Sequence, residues 1–355
     1  MVRRHFIKIS ALTATGMLTG VCRPARTAAF KSDYLMTVSG KVTPDKIHGT
    51  ILAHEHIIVD FAGAESVPQP QYRQEDANRL VLPYLEKLRQ QGVSTLIECT
   101  PNYLGRDVNL LAGLSKASGL HIITNTGYYA ARDEKFLPKH FYMETEKQIA
   151  DRWLHEWNNG IESTGIKPGF IKLGVGKGPL KATEHKLIRA AAITHLQSGL
   201  KIAIHSGDGA AALEEHELLL TAGVAPEAHI VVHAQNDAEG KVQSLLAAKG
   251  TWISLDNIKD SETIVEQYAA ILQRMKSENL LHRVLISHDD GWGVNKNAEG
   301  NVELELFGDK SAQPYSGIFK RLKPLLLSKG FTEEDFVLMM QKNPASAYAV
   351  RICRR

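Results

Sequence analysis

Short apolar runs alternate with longer stretches of helical periodicity along the chain from about residue 40 onward. Eight of the short runs are rich in β-branched and apolar residues and predict strands at 50–56, 95–101, 121–128, 169–174, 201–206, 229–235, 251–257 and 283–289. Amphipathic patterns between them predict helices, for example at 76–91, 143–160, 183–198 and 264–279. No linker rich in Pro, Gly or Ser interrupts the alternation, so we expect one domain.

This alternation predicts the α/β class and, within it, a single (β/α)8 TIM barrel. A doubly wound open sheet is the structural alternative. It is disfavoured because no glycine-rich phosphate-binding turn follows the first predicted strand, and because the candidate polar ligands come from strands spread over the whole chain. A closed barrel brings the carboxyl ends of all these strands to one face.

The N-terminal 29 residues differ from the rest of the chain. Arg3 and Arg4 precede a mildly apolar stretch, 9–21, and small residues follow up to Ala29. This order predicts a twin-arginine export signal that is cleaved after Ala29, with the barrel in 30–355 and a periplasmic location. A basic, disordered tail is the alternative. The segment carries five cations and no acid, so its removal changes the formal charge from +3 to −2.

Charge, hydropathy and cysteine content argue against three classes of protein: nucleic-acid-binding, membrane-spanning and disulfide-stabilised proteins. A charge of −2 gives no reason to expect a nucleic-acid partner, and no apolar run is long enough for a transmembrane helix. Cys22 would leave with the signal. Cys99 and Cys353 are too few for a disulfide framework, so we expect both to be free thiols.

Histidines and one aspartate stand at the ends of predicted strands, where TIM barrels carry their reactive groups. His54 and His56 end the first strand, and their spacing of two aims both imidazoles to one side. His205, His233 and Asp289 end the fifth, sixth and eighth strands. Neutral imidazoles and a carboxylate suit Zn²⁺ or a similar divalent ion, so these residues predict a metal site.

Nine other histidines are not expected to bind metal. His121 and His229 open their strands, on the face of the barrel that serves stability, and we expect them to be structural. The others fall in predicted helices or loops, where a solvated surface position is the default: His48, His140, His155, His185, His195, His216 and His282.

A lysine interrupts the apolar fourth strand. Burial of an unpaired ammonium is costly and lowers its pKa, so Lys172 can become a neutral amine. A neutral amine can capture carbon dioxide, and the two oxygens of the resulting carbamate can bridge two cations. A rim lysine paired with a carboxylate such as Glu98 is the alternative. Among this many candidate ligands we predict the bridge.

These residues, together with motifs at 35–40, 52–56, 100–107 and 343–345, resemble the phosphotriesterase family of the amidohydrolase superfamily, which includes aryldialkylphosphatases and phosphotriesterase-like lactonases. The resemblance covers nearly the whole mature chain. It implies a hydrolase with a binuclear zinc-type centre, with one metal on His54, His56 and Asp289. The second metal would lie on His205 and His233, and carbamylated Lys172 would bridge the two.

The resemblance also implies a chemistry. A hydroxide between the metals would attack an ester, a lactone or a phosphoester, and Asp289 would act as the catalytic residue that carries the proton away. The partner would be a small ester-type substrate. Homodimers are common among similar proteins, although nothing in this sequence requires one.

Two positions depart from the pattern of similar enzymes. Where they carry a carboxylate three residues after the histidine of the sixth strand, this chain has Asn236, with Asp237 next to it. Either the proton relay is altered or the alignment slips by one residue. Asn257 stands where many members place Arg or His, and an amide supplies no positive charge to a leaving group.

Aromatic residues after two strands predict an apolar substrate site. Tyr128 and Tyr129 follow the third strand, although Tyr128 could instead pack against a neighbouring loop. Trp292 opens a long segment, 291–316, which is either a functional lid or disordered.

Two other functions stay open at this point. One is a mononuclear hydrolase or deaminase in which Lys172 is an unmodified amine. The other is a protein that retains metal and has lost turnover, which Asn236 and Asn257 make conceivable. The number of bound metal ions separates the first from a binuclear hydrolase, and an ester panel separates the second.

Overall fold

Parallel strands form the centre of the protein. The structure, a computed structural model, describes residues 33–67, 70–307 and 313–351. We number the barrel strands β1 Thr50–Glu55, β2 Val93–Glu98, β3 His121–Ile123 with its continuation Asn125–Thr126, β4 Phe170–Gly174, β5 Lys201–His205, β6 His229–Val232, β7 Trp252–Leu255 and β8 Val284–Ile286. The sheet runs β1-β2-β3 and, through the continuation of β3, onward to β8. Every pair in this order is parallel.

Helices cover the outside of the strands. They are α1 Gln74–Gln90, α2 Val108–Ser118, α3 Glu146–Asn159, α4 Ala182–Ser198, α5 Gly209–Thr221, α6 Lys241–Ala248, α7 Glu262–Ser277 and α8 Lys323–Ser328. On α1, for example, Val81, Leu85 and Leu88 recur at helical spacing and are buried. The eight predicted strands are all present and alternate with helices, which confirms the (β/α)8 barrel.

The ring of strands closes between β8 and β1 at the carboxyl end. The Asp289 N–H donates to the His54 carbonyl at 3.1 Å. The fully buried carboxylate of Glu55 accepts hydrogen bonds from Ser287 Oγ at 2.7 Å and from the His288 N–H at 3.0 Å. Because buried carboxylates need such donors, Glu55 fixes the end of β1 to the segment that follows β8.

Several predicted elements extend beyond the observed ones, and for two of them the structure shows the physical reason. The predicted strand 229–235 is too long because β6 stops where His233 takes a left-handed backbone conformation, with φ of 57°. The predicted helix 143–160 starts too early. Thr145 and Gln148 form a capping box, so α3 begins only after Thr145.

The segment after β8 contains ordered secondary structure. Trp292–Lys296 and Val302–Leu306 form an antiparallel hairpin, and the first of these strands also pairs with Ile58–Val59. Trp292 is buried against Tyr315, with 5.9 Å between ring centroids. Trp292 therefore belongs to the core, contrary to the expectation that it lines the substrate site.

Several expectations concern residues that the structure does not describe. The predicted export signal, 1–29, lies outside the described residues, as do Cys22 and Cys353. Cys99 is buried and is a free thiol, as expected. Within the described ranges, no helix is both long and apolar enough to cross a membrane.

Candidate metal centre

A cavity of about 210 Å³ lies at the carboxyl ends of the barrel strands. All six side chains that the sequence suggested as metal ligands line it: His54, His56, Lys172, His205, His233 and Asp289. They come from β1, β4, β5 and from the residues just after β1, β6 and β8. Closure of the barrel is what brings positions so far apart in the chain to one place.

Three of these residues meet most closely. His54 Nε2 and His56 Nε2 lie 3.4 and 3.2 Å from the same oxygen, Oδ1 of Asp289. One ligand atom from each residue lies within 4.8 Å of the other two. Two imidazole nitrogens and a carboxylate oxygen are a donor set that suits zinc, so the residues present fit a divalent cation.

Hydrogen bonds behind His56 determine which ring nitrogen faces the cavity. Thr100 Oγ1 donates to the Glu98 carboxylate at 2.5 Å and therefore accepts from His56 Nδ1, at 2.8 Å. With the proton on Nδ1, the lone pair of Nε2 points towards Asp289. This is the tautomer that a metal ligand requires.

Burial keeps another candidate ligand neutral. His54 is almost completely buried, and burial lowers its pKa to about 4, although Asp256 acts in the opposite direction. A neutral imidazole can offer its lone pair to a cation at neutral pH. His205 follows the same pattern, because burial and then the charge of His233 hold its pKa well below the usual range.

Asp256 is a site residue that sequence reasoning missed. It is fully buried, makes a short hydrogen bond with His233 Nδ1 and lies 3.3 Å from His54 Nδ1. Burial alone would raise the pKa of Asp256, but the charges of both histidines hold it well below the usual range. Carboxylates in this position orient the rings of metal-binding histidines and increase their basicity. An Asp directly after an apolar strand was the available signal.

We expect Asp256→Asn to fold and to weaken zinc binding by about 10- to 100-fold, because the neutral amide lacks the negative charge with which the carboxylate orients and polarises His233 and His54. Competition with a chromogenic chelator measures the affinity. Asp237→Asn is the matched control, since Asp237 accepts from the N–H groups of Val242 and Gln243 at the start of α6. An Asp256→Asn protein with unchanged zinc affinity would contradict the assigned role.

Lys172 is the buried amine of the cavity. Burial lowers its pKa, and its Nζ donates to the Leu173 carbonyl at 3.1 Å. The structure records no ion pair between Lys172 and a carboxylate in the described ranges. The alternative of a rim lysine paired with Glu98 is therefore wrong, because Glu98 is engaged by Thr100 and by the Ile57 N–H. A buried amine of this kind fits the neutral form that carbamylation needs.

Left-handed backbone conformations cluster around the cavity. His233, Asn257 and Asp289 follow β6, β7 and β8, and their φ angles are 57°, 68° and 54°. All three side chains line the cavity. Such conformations are uncommon outside glycine, cost on the order of 1 kcal/mol or more each, and persist mainly where a functional arrangement depends on them.

With this geometry established, comparison with known proteins identifies the family. The sequence model of the phosphotriesterase family matches residues 33–348. The chain belongs to the phosphotriesterase family. It is 27% identical over 304 residues to the phosphotriesterase homology protein of Escherichia coli, which covers 84% of this chain and 98% of that protein. It is 28% identical over 310 residues to the aryldialkylphosphatase of Saccharolobus solfataricus, which covers 85% of this chain and 95% of the relative.

More distant relatives in the phosphotriesterase family carry another name. The N-acetyltaurine hydrolase of Danio rerio is 24% identical over 351 residues and covers 87% of this chain and 96% of that protein. A solved structure from the molecular engineering of organophosphate hydrolysis activity in a weak promiscuous lactonase superposes with a TM-score of 0.78, at 25% identity. It covers 89% of this chain and 99% of that one. The coarse function that these comparisons support is therefore that of a hydrolase.

The two departures from the expected family pattern have different surroundings. Asn236 Nδ2 donates to the Ser206 carbonyl at 3.0 Å, and Asp237 holds the start of α6. Neither residue lines the cavity, so a slip of one residue does not bring the Asp237 carboxylate to the site. Asn257 does line the cavity and offers an amide there.

Apolar side chains form the walls of the cavity around the polar centre. Tyr129 is among them, together with Val59, Phe61, Leu104, Phe136 and Phe307. Tyr128 instead packs in the interior against Trp153, with 5.3 Å between ring centroids. Of the two tyrosines, Tyr129 therefore meets the expectation of a substrate-site aromatic, and Tyr128 follows the alternative.

The histidines outside the candidate metal centre can be compared with the sequence-based expectation, which is wrong for one of them. His229 is buried at the start of β6, 3.3 Å from the Glu215 carboxylate, and is structural as expected. His48, His155 and His282 are exposed, whereas His140, His185 and His195 are half-buried. The expectation is wrong for His216, which lies on the buried face of α5 with Nδ1 3.1 Å from Thr251 Oγ1.

Proposed function

We propose that this member of the phosphotriesterase family is a binuclear metal-dependent hydrolase of small ester-type substrates. His54, His56 and Asp289 would hold one cation and His205 and His233 the other. Lys172, as a carbamate, would bridge them. The observation that supports this most strongly is that all six side chains line one cavity at the catalytic end of the barrel. Divalent cations bound there would polarise a carbonyl or phosphoryl oxygen and lower the pKa of water.

The bridge requires a modification of Lys172 that the surroundings favour. The neutral Nζ would attack the carbon of carbon dioxide, so that an N–C bond forms while one C=O π bond breaks and its electrons move to oxygen. The nitrogen would then lose a proton to water, which leaves a carbamate anion. Burial lowers the pKa of Lys172, which makes the attacking lone pair accessible. The anion would then stand among imidazoles, and metal cations would compensate its charge.

Asp289 would accept the proton that leaves the attacking water. Burial would raise its pKa, but the adjacent imidazoles of His56 and His54 hold the pKa below the usual range, so the carboxylate is ionised. About 22% of its side chain is exposed to the cavity, which gives a substrate and a water molecule access to it. A positioned carboxylate of this kind serves as a general base.

The proposed substrate class is supported by the side chains that line the cavity and by the names of similar proteins. Aromatic and aliphatic walls suit an apolar portion of an ester, a lactone or a phosphoester. The relatives include an aryldialkylphosphatase and an N-acetyltaurine hydrolase, so a phosphoester and an amide are both represented in the family. The twin-arginine pattern at Arg3 and Arg4 supports a periplasmic location for this activity.

One observation favours a second candidate, a mononuclear hydrolase or deaminase. Among the residues that the structure describes, His54, His56 and Asp289 form the one group of three such side chains with ligand atoms within 4.8 Å of one another, so this triad could hold a single cation beside an unmodified Lys172. A protein that binds metal without turnover is the third possibility, because Asn236 and Asn257 replace groups with which similar enzymes assist the reaction.

We expect the protein, produced with zinc and bicarbonate, to hydrolyse at least one member of a panel of aryl esters, lactones and aryl dialkyl phosphates. Chelation should reduce the rate by more than about 100-fold, since the cations supply several kcal/mol of transition-state stabilisation, and added zinc should restore it. Metal-loaded protein that leaves the whole panel intact would indicate binding without turnover. Hydrolysis that survives chelation would contradict a metal-dependent mechanism.

A further inference from the structure

Arg132 is a cation at the mouth of the metal cavity that the proposed reaction does not use. It lines the cavity, and its guanidinium lies 5.1 Å from the ring centroid of Phe61. The described residues that line this cavity, other than Arg132 and the six candidate metal ligands, are all uncharged. The side chain is exposed at the rim. A substrate that enters the cavity therefore passes one permanent positive charge.

Over the described part of the chain, no ion pair joins Arg132 to a carboxylate. Glu134, two residues further on, is engaged elsewhere: it accepts hydrogen bonds from Thr183 Oγ1 at 2.7 Å and from Tyr142 Oη at 3.0 Å. The guanidinium thus retains its hydrogen-bond donors for a ligand.

The backbone that carries Arg132 is unusual and firmly held. Arg132, Asp133 and Glu134 are consecutive left-handed residues, with φ angles of 58°, 55° and 62°. The Glu134 N–H donates to the Ala130 carbonyl at 3.0 Å, and the Glu134 side chain fixes the outer side of the turn. A strained turn of non-glycine residues at the rim of a site is a common place for a functional side chain.

We propose that Arg132 is a specificity-determining residue that binds an oxyanion of the substrate, a carboxylate, sulfonate or phosphate, at the end away from the scissile bond. This inference rests on the proposed hydrolase function. A guanidinium pairs with such groups through two parallel hydrogen bonds, and Lys cannot reproduce that geometry. The ring of Phe61, 5.1 Å from the guanidinium, contacts it through a cation–π interaction and supports the side chain beside the cavity.

The position of Asn257 agrees with this assignment. An amide at the end of β7 supplies no charge to the substrate, so Arg132 is the cation that the described lining residues other than the candidate metal ligands offer to it. The preferred substrate would have an apolar middle portion, which contacts the aromatic walls, between the reacting bond and the anionic group.

The test compares 4-acetoxybenzoate with its methyl ester, which differ by one negative charge far from the scissile ester. The kcat/KM ratio of the anionic to the neutral ester is measured for the zinc-loaded protein and for Arg132→Met. Titration calorimetry with benzenesulfonate, a weak metal ligand, measures anion binding without turnover. We expect Arg132→Met to reduce the ratio and the benzenesulfonate affinity by about tenfold each, with Arg132→Lys between the two proteins.

Lys135→Met is the matched control, because Lys135 lies in the same exposed turn and does not line the cavity. Its ratio should stay within about twofold of the parent protein. The proposed anion site is contradicted if Arg132→Met changes neither the kcat/KM ratio nor the benzenesulfonate affinity, or if Lys135→Met changes both to the same extent. The proposed hydrolase function would be unaffected by either result. If neither ester is hydrolysed but benzenesulfonate binding depends on Arg132, the anion site stands and the proposed ester hydrolysis fails for these substrates.

Discussion

Lys172→Ala is expected to reduce hydrolysis by roughly 100- to 1,000-fold, because loss of the bridge removes one cation and the several kcal/mol that it contributes to the transition state. A short carboxylate such as acetate or propionate, added to the mutant, should occupy the space of the carbamate and restore part of the rate. Steady-state assays with and without the added acid, on zinc-loaded protein, measure both effects.

Lys201→Ala serves as the control for the lysine substitution. Lys201 is also a buried barrel lysine, but it opens β5 at the opposite end of the barrel, where its Nζ donates to the Glu227 carbonyl at 3.0 Å. Its replacement should cost stability and leave the reaction per folded molecule unchanged. Full activity of Lys172→Ala without any added acid would remove the bridge from the mechanism.

Asp289→Asn is expected to abolish turnover, by about 100- to 10,000-fold, while the protein remains folded. The amide can neither accept a proton nor bind a cation as a carboxylate does. Asp289 follows β8 at the mouth of the barrel and does not belong to its packed layers, so the fold should tolerate the change. Far-ultraviolet circular dichroism and urea unfolding, beside kcat, separate the two effects. A parallel loss of folding and activity would instead make Asp289 structural.

The sequence predicted the fold and the six cavity residues because both depend on rules that act locally. Strand and helix periodicities repeat along the chain, and a parallel barrel places all strand ends on one face. His205 and His233 could therefore be assigned to the same site from their positions within two strands, without knowledge of any contact between them. The 4.3 Å between their ring centroids agrees with that assignment.

The groups behind the cavity residues could not be predicted in this way. Asp256, Glu55 and Thr100 act through hydrogen bonds to residues of other strands, and those pairs depend on register and side-chain direction. The partner of Glu55, His288, is 233 positions away. Periodicity assigns a residue to an element but does not determine which atom it meets across the barrel.

The position of Arg132 at the cavity could not be predicted from the sequence for a different reason. Its direction depends on three consecutive left-handed residues, and the sequence Arg132-Asp133-Glu134 contains no glycine or Asn that would predict such a turn. The stop of β6 at His233 has the same origin. In both places tertiary contacts override the local preference of the backbone.

Metal stoichiometry by elemental analysis tests the central claim most directly. The protein is produced with zinc and bicarbonate and is compared with Lys172→Ala. The binuclear centre predicts close to two equivalents of zinc in the parent protein and clearly fewer in the mutant. One equivalent or none, unchanged by Lys172→Ala, would contradict a centre bridged by Lys172 and would favour a mononuclear enzyme or a protein that binds metal without turnover.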